Sequence, residues 1–349
     1  MKKFSFQKIS EHRTLLMGLE IVLIMFFHFT EDCKETKSGF SGFVSWFFTY
    51  IRSSGVDIFL LLSGFGLYYS WKKQPKALPF YRKRLTRVLV PYLIVGVLAW
   101  GWLDLYLGRT GVRLFLADLS FVTLFTRGTK LFWYIFLCLV CYLIFPLAYR
   151  LFDDRRTRQE EATATAGVFL LCTAAVFFAR NHWKDLYPVL NLLLLRFPFF
   201  ILGIWIGKLA AEDKGLPAWA AADFMLLSLV LAIHLHSDPV WGRYALAALN
   251  CSICMLVIMI LDATAVSGFP FRDYLTDMLC WCGRHSLELY LIHVAVRKVM
   301  KKYGYSPSVL HNELTLIAAS LVGAALLYRL VSGIQKHGLA KANSDSRRN

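Results

Sequence analysis

An all-α fold, a polytopic membrane helix bundle of about ten transmembrane helices, is what this sequence predicts, and three observations lead there. Of 349 residues 57% are hydrophobic and only 18% charged, whereas a soluble domain is about one quarter charged, so too few polar side chains remain to coat a water-facing surface. The mean hydropathy is +0.50, and apolar runs of membrane-spanning length recur from end to end. Ten helices of about 20 residues need about 200 residues, close to the apolar share of the chain. These facts exclude a soluble globular protein.

The elements follow in order. The first run, 14–30, comes after Lys2, Lys3, Lys8 and Arg13 and stops at Glu31-Asp32-Cys33-Lys34, read as a loop; with no small-x-small cleavage site it is a retained helix rather than a removed signal. The second, 55–71, opens on Gly55 and closes at Lys72-Lys73, with 41–54 able to extend it outward. Next come 88–107, ended by Gly108-Arg109, and Val112–Phe125, apolar enough to lie in the interface or dip into it. The runs 131–149, 165–180 and 189–207 are bounded by Lys130, Arg150, the polar stretch 153–161, Pro188 and Lys208. Finally 219–235, 244–261, 285–300 and 313–334 lie between breaks at Pro217, Asp238-Pro239, Asp262, Arg284, Lys301-Lys302 and Lys336. No repeat and no long polar stretch interrupts them, so 1–349 reads as a single integral-membrane domain with no appended soluble domain.

An even number of spans puts both termini on one side. Of 39 basic residues, 23 fall on that side, 13 on the other, and three (Arg52, Arg196, Arg329) inside spans or at their edges. Positive loops stay in the cytoplasm, which predicts a multi-pass cell-membrane protein with cytoplasmic termini. The cluster Arg297, Lys298, Lys301, Lys302 runs against the rule. The net charge of +16 is accounted for by loop retention and anionic headgroups of membrane lipid, and no nucleic acid is expected as partner. The pairs Cys138/Cys141 and Cys251/Cys254 lie inside apolar runs without further ligands at zinc spacing, so they read as packing residues and no metal is expected.

Charged side chains within hydrocarbon are costly and mark sites. Those here are Glu20 and His28 on the first span, Arg52 and Asp57 where the second begins, Arg196 on the sixth, and Glu288 and His293 on the ninth. The first span runs outward and the second returns, so His28 and Asp57 arrive at nearly one depth. Glu20 lies about 12 Å deeper and about 80° round the helix; its bland alternative is a buried salt bridge with an arginine such as Arg196. Ser63 points about 120° away from Asp57, which suits close packing beside Gly64. Arg84 and Arg87, three residues apart on one helical face, present two planar forks suited to phosphate, or a positive-inside anchor.

The ordered set of His28, Gly55-Val56-Asp57-Ile58-Phe59 through Ser63-Gly64-Phe65, Arg84-x-x-Arg87 with Pro91-Tyr92, Trp133-Tyr134, Arg196-Phe197-Pro198-Phe199-Phe200-Ile201-Leu202-Gly203 and Ser286-Leu287-Glu288-Leu289-Tyr290-Leu291-Ile292-His293 resembles the acyltransferase-3 family of membrane O-acyltransferases. The resemblance implies transfer of an acyl group, often acetyl, from cytoplasmic acyl-CoA, a cosubstrate rather than a bound cofactor, to a hydroxyl of a carbohydrate or lipid-linked sugar. It implies His28 as general base or acyl carrier, Asp57 as its orienting partner, and Arg84 and Arg87 as holders of the CoA phosphates. Glu20, Ser63, Arg196, Glu288 and His293 are candidate supporting residues. The family commonly places an arginine with ten residues between it and the histidine; Met17 stands there, and the nearest upstream arginine is Arg13. The competing readings are a transporter or flippase of a sugar-lipid or small molecule, and a sensor or scaffold without turnover.

Overall fold

The structure, a computed structural model, describes residues 3–35, 55–267, 270–306 and 310–345; the expected outward extension over 41–54, with Arg52, lies outside them. Helix dominates, and eight helical segments among the described residues are long and apolar enough to cross a membrane. The chain is a multi-pass membrane protein. The eight include α1 (Gln7–Glu35), α3 (Ala77–Trp100, continued by a π-helical stretch Gly101–Leu107), α6 (Trp133–Tyr149) and α7 (Arg158–His182), with α4 (Val112–Leu119) and α5 (Val122–Thr126) as short intervening helices. The segment Tyr187–Ala211 comprises α8 (Tyr187–Leu194) and α9 (Phe197–Ala211), and α10 (Ala218–Leu235), α11 (Trp241–Ser267) and α14 (Leu310–Asp345) complete the set. The two further expected spans are α2 (Gly55–Lys73) and α13 (Ser286–Lys302). Their middles are sunk among the other helices, since Asp57 to Phe65 and Leu289 to Leu291 are all buried.

Leu226, Leu227 and Leu229 on α10 and Leu321, Val322 and Leu326 on α14 are exposed, an apolar outer surface that a bilayer covers. The central core joins Ile21 and Ile24 of α1, Phe59 of α2, Tyr92 and Trp100 of α3, Leu289 and Leu291 of α13 and Leu327 of α14. Since lipid gives helices no hydrophobic drive to associate, close backbone approach at small residues matters. A Cβ at Gly203 would meet the Leu61 carbonyl, and one at Gly64 the Phe200 carbonyl, so α2 and α9 pack backbone to backbone. Gly18 and Gly283 do the same for α1 and α12 (Pro270–Arg284), a helix the apolar runs did not reveal.

Two strands, β1 (Lys3–Ser5) and β2 (Gly215–Pro217), pair antiparallel. They tie the N-terminus to the 212–217 connection, so both lie at one pole, as the charge count requires. The segment Val112–Phe125, expected at the interface, forms α4 and part of α5 and is held to the bundle by the Tyr92 hydroxyl, which donates to the Leu119 carbonyl at 2.7 Å. Pro198 sits at the start of α9; it has no N–H to offer the preceding turn, and the helix breaks at Leu195–Arg196.

Candidate active site

Two corrections to the sequence reading build the site. Glu31-Asp32-Cys33-Lys34, read as a loop, continues α1, which runs to Glu35, and the basic cluster from Arg297 to Lys302, with Lys301-Lys302 read as a break, is the helical end of α13. His28 and Asp32 are four residues apart on α1, His293 and Arg297 four apart on α13, so each pair shares a helical face. The Arg297 guanidinium grips Asp32 with Nε to Oδ2 at 2.7 Å and Nη2 to Oδ1 at 2.5 Å, and Nη2 also reaches Glu31 at 3.1 Å. Lys301 Nζ lies 2.5 Å from Asp32 Oδ1. This clamp holds the two faces together and stacks His28 on His293, ring centroids 5.2 Å apart and planes 12° from parallel. Among the described residues His28 Nδ1 and His293 Nε2 are buried without a hydrogen-bond partner, while His293 Nδ1 is 3.4 Å from the Ser320 hydroxyl.

His28 lines a cavity of about 640 Å³, walled also by Gly55, Val56, Trp100, Trp133, Tyr290, Arg196 and Arg243. The antiparallel α1 and α2 bring His28 and Asp57 to one end, but among the described residues the Asp57 carboxylate is set against two arginines and makes no hydrogen bond to the imidazole. Its Oδ1 faces Arg196 Nε and its Oδ2 faces Arg243 Nη1, each at 3.6 Å. Arg196 is fixed by the helix break: its Nη1 donates to the Leu192 carbonyl at 2.8 Å, and its guanidinium lies 4.8 Å from the centre of the Trp133 ring. Glu20, fully buried, is not the partner of Arg196. Its carboxylate accepts from Asn250 Nδ2 at 3.0 Å and from the Cys254 thiol at 3.3 Å. The cysteines Cys138, Cys141, Cys251 and Cys254 are free.

The opposite pole carries the arginines. Arg87 is not an open fork: Nη1 and Nη2 donate to Glu288 Oε1 and Oε2 at 2.7 and 3.4 Å, which tethers α3 to α13. Arg84 is half-buried with its Nε unpartnered. Arg13 lies close enough to Arg84 for their charges to repel, its Nε donating to the Leu62 carbonyl at 3.0 Å. A Cβ at Gly66 would strike its guanidinium. Both arginines act on Tyr142, whose hydroxyl is 3.3 Å from Ser63 Oγ. Ser63 therefore belongs to this pole, away from Asp57 as its helical angle predicted. Among the described residues no group of His, Cys, Asp and Glu is arranged to hold a metal ion.

A family model described as "Acyltransferase domain" matches residues 15–329, a stretch that runs from the first turns of α1 into α14 and contains His28, Arg84 and Arg87, with Arg13 just before it. The chain belongs to the acyltransferase-3 family. It is a membrane acyltransferase, and a lipid environment and an acceptor substrate follow from that. Neither the curated proteins nor the solved structures contain a match to this acyltransferase. The sequence reading missed Asp32, Arg297, Arg243 and Tyr142. Only the first two carried a local signal, the repeated four-residue spacing from a histidine.

Proposed function

We propose that this acyltransferase moves an acyl group, acetyl by preference, from acyl-CoA at the cytoplasmic face of the cell membrane to a hydroxyl of an envelope or exported carbohydrate or lipid-linked sugar at the other face. One observation carries the reading: a histidine lies in the wall of a cavity at one end of the bundle, while at the other Arg84 and Arg13 come together with no carboxylate between them among the described residues. A neutral imidazole accepts a proton. In this reading His28 takes the proton of the acceptor hydroxyl as its oxygen attacks the acyl carbonyl, the C–S bond breaks, and the thiolate of CoA leaves and is protonated. Arg84 and Arg13 hold the donor's phosphates, and the acyl end crosses toward His28. Arg13 and His28 are fifteen residues, about 22 Å of helix, apart, a distance for the donor's long flexible arm to cover.

His293 keeps the ring of His28 in place by stacking, and Asp57 offsets one of the two positive charges of Arg196 and Arg243 in the cavity wall. The test is mass spectrometry of surface glycans from cells with and without the protein. Loss of one acyl group from glycans still exported in normal amount is the expected result. A fall in exported glycan with its acylation unchanged would instead make the protein a transporter or flippase.

A further inference from the structure

The basic residues that defy the positive-inside pattern have a common address. Of the 13 basic residues on the His28 side, seven line the cavity: Arg127, Lys130, Arg243, Arg297, Lys298, Lys301 and Lys302. Arg196 makes eight, against two acidic residues in the same wall, Asp104 and Asp118. Behind the wall Asp57 is set against Arg196 and Arg243, and Asp32 and Glu31 against Arg297 and Lys301. Glu313 also acts on Arg297, and setting these six acids against the eight bases still leaves two positive charges among the described residues. A cleft with low-dielectric walls concentrates such a field and draws in ions of the opposite sign. Lipid retention does not need this arrangement, because these cations converge on a cavity instead of facing outward along a loop. Arg127, Lys130 and Lys302 are exposed at its mouth, and His28 is in the same wall.

We propose that the acceptor is anionic: a carbohydrate that carries a phosphate or carboxylate group near the hydroxyl to be acylated. The excess cations hold that group at the mouth and leave the hydroxyl facing His28. This rests on the acyltransferase reading and adds the charge class of its acceptor.

The test uses the full-length protein in nanodiscs and four small probes: glucose 1-phosphate, glucuronate, methyl glucoside as the neutral sugar, and adenosine 3′,5′-bisphosphate for the head of CoA. Binding is followed by saturation-transfer NMR. One or both anionic sugars should bind at least tenfold tighter than methyl glucoside, and raising the salt from about 50 to about 300 mM should weaken them, since the screening length shrinks to below about 10 Å. Which anionic sugar binds tells phosphate from carboxylate. Lys130→Gln with Lys302→Gln removes two exposed charges and should weaken that binding roughly 5- to 25-fold, with helix content and monodispersity unchanged. The same double variant should leave the bisphosphate unaffected, and Arg84→Gln should weaken only the bisphosphate.

Absence of any anionic preference, including no detectable binding of either anionic sugar, overturns the proposal. So does loss of bisphosphate binding in the Lys130/Lys302 variant with none in Arg84→Gln, which would make the cavity the donor's mouth. If the anionic preference is missing while deletion of the protein still removes an acyl group from glycans, the acceptor is neutral and the acyltransferase reading stands.

Discussion

Removing one member of the Asp32–Arg297 clamp should unbalance the bundle more than removing both. Asp32 has a side chain 1% exposed and Arg297 one 14% exposed, so the pair is shielded from water. Breaking a buried ion pair from one side costs about 3–5 kcal/mol because the survivor stays buried and uncompensated. In Arg297→Gln, Lys301 still faces Asp32 at 2.5 Å, which lowers the expected cost to about 2–3 kcal/mol. In Asp32→Asn the two cations lose the buried carboxylate they share, while Glu31, which Arg297 also reaches, has a side chain 44% exposed, and the cost is about 2–4 kcal/mol. The double variant Asp32→Asn/Arg297→Gln deletes both charges and should lie within about 1 kcal/mol of the wild type, a coupling energy of several kcal/mol. Denaturant unfolding in detergent, followed by helical circular dichroism, measures the cycle. Glycan acylation measured alongside should fall at least tenfold in both single variants, because the clamp sets the stack of His28 on His293. If the two single effects are small and simply add, the clamp does not hold the site together.

The remaining predictions concern donor, packing and orientation. Arg84→Gln should raise the acyl-CoA requirement roughly 10- to 100-fold, the value of a charge-assisted hydrogen bond of about 1.5–3 kcal/mol, with stability unchanged; Arg87→Gln should instead lower stability, because it strands the wholly buried Glu288. Steady-state kinetics against acyl-CoA, together with unfolding curves, separates the two. Gly203→Val drives a side chain into the Leu61 backbone and should cost about 1–3 kcal/mol or more, seen as loss of monodisperse protein in detergent. With the native cysteines removed, a membrane-impermeant thiol reagent on intact cells should label Asn181→Cys and not Gln159→Cys; the reverse result would invert the orientation.

The positions of the helices were legible because apolar runs between charges are a local property: both motif-bearing helices, α2 and α13, form where the sequence places them. The partners of the charges were not. Glu31-Asp32-Cys33-Lys34 looks like a loop until Arg297, 265 residues on from Asp32, neutralises it and lets α1 continue. Glu20 bonds Asn250 and Cys254 and not Arg196, because the helix break at Pro198 sends Arg196 to Asp57. Arg84 and Arg87 share a helical face yet differ in use, since only Arg87 meets α13. Amphipathic α12 escaped the apolar count because Asp273, Asp277 and Arg284 interrupt it, and its place beside α1 depends on two glycines far apart in sequence.

The central claim is that His28 carries the acyl transfer, and His28→Ala tests it most directly. Acylation of the surface glycan should drop by about 10² to 10⁴, the contribution of one general base. Membrane insertion and binding of adenosine 3′,5′-bisphosphate should stay at the wild-type level, because Arg84 and Arg13 lie at the other pole. Normal glycan acylation in His28→Ala, with its loss in His293→Ala, would contradict the account and move the chemistry to α13.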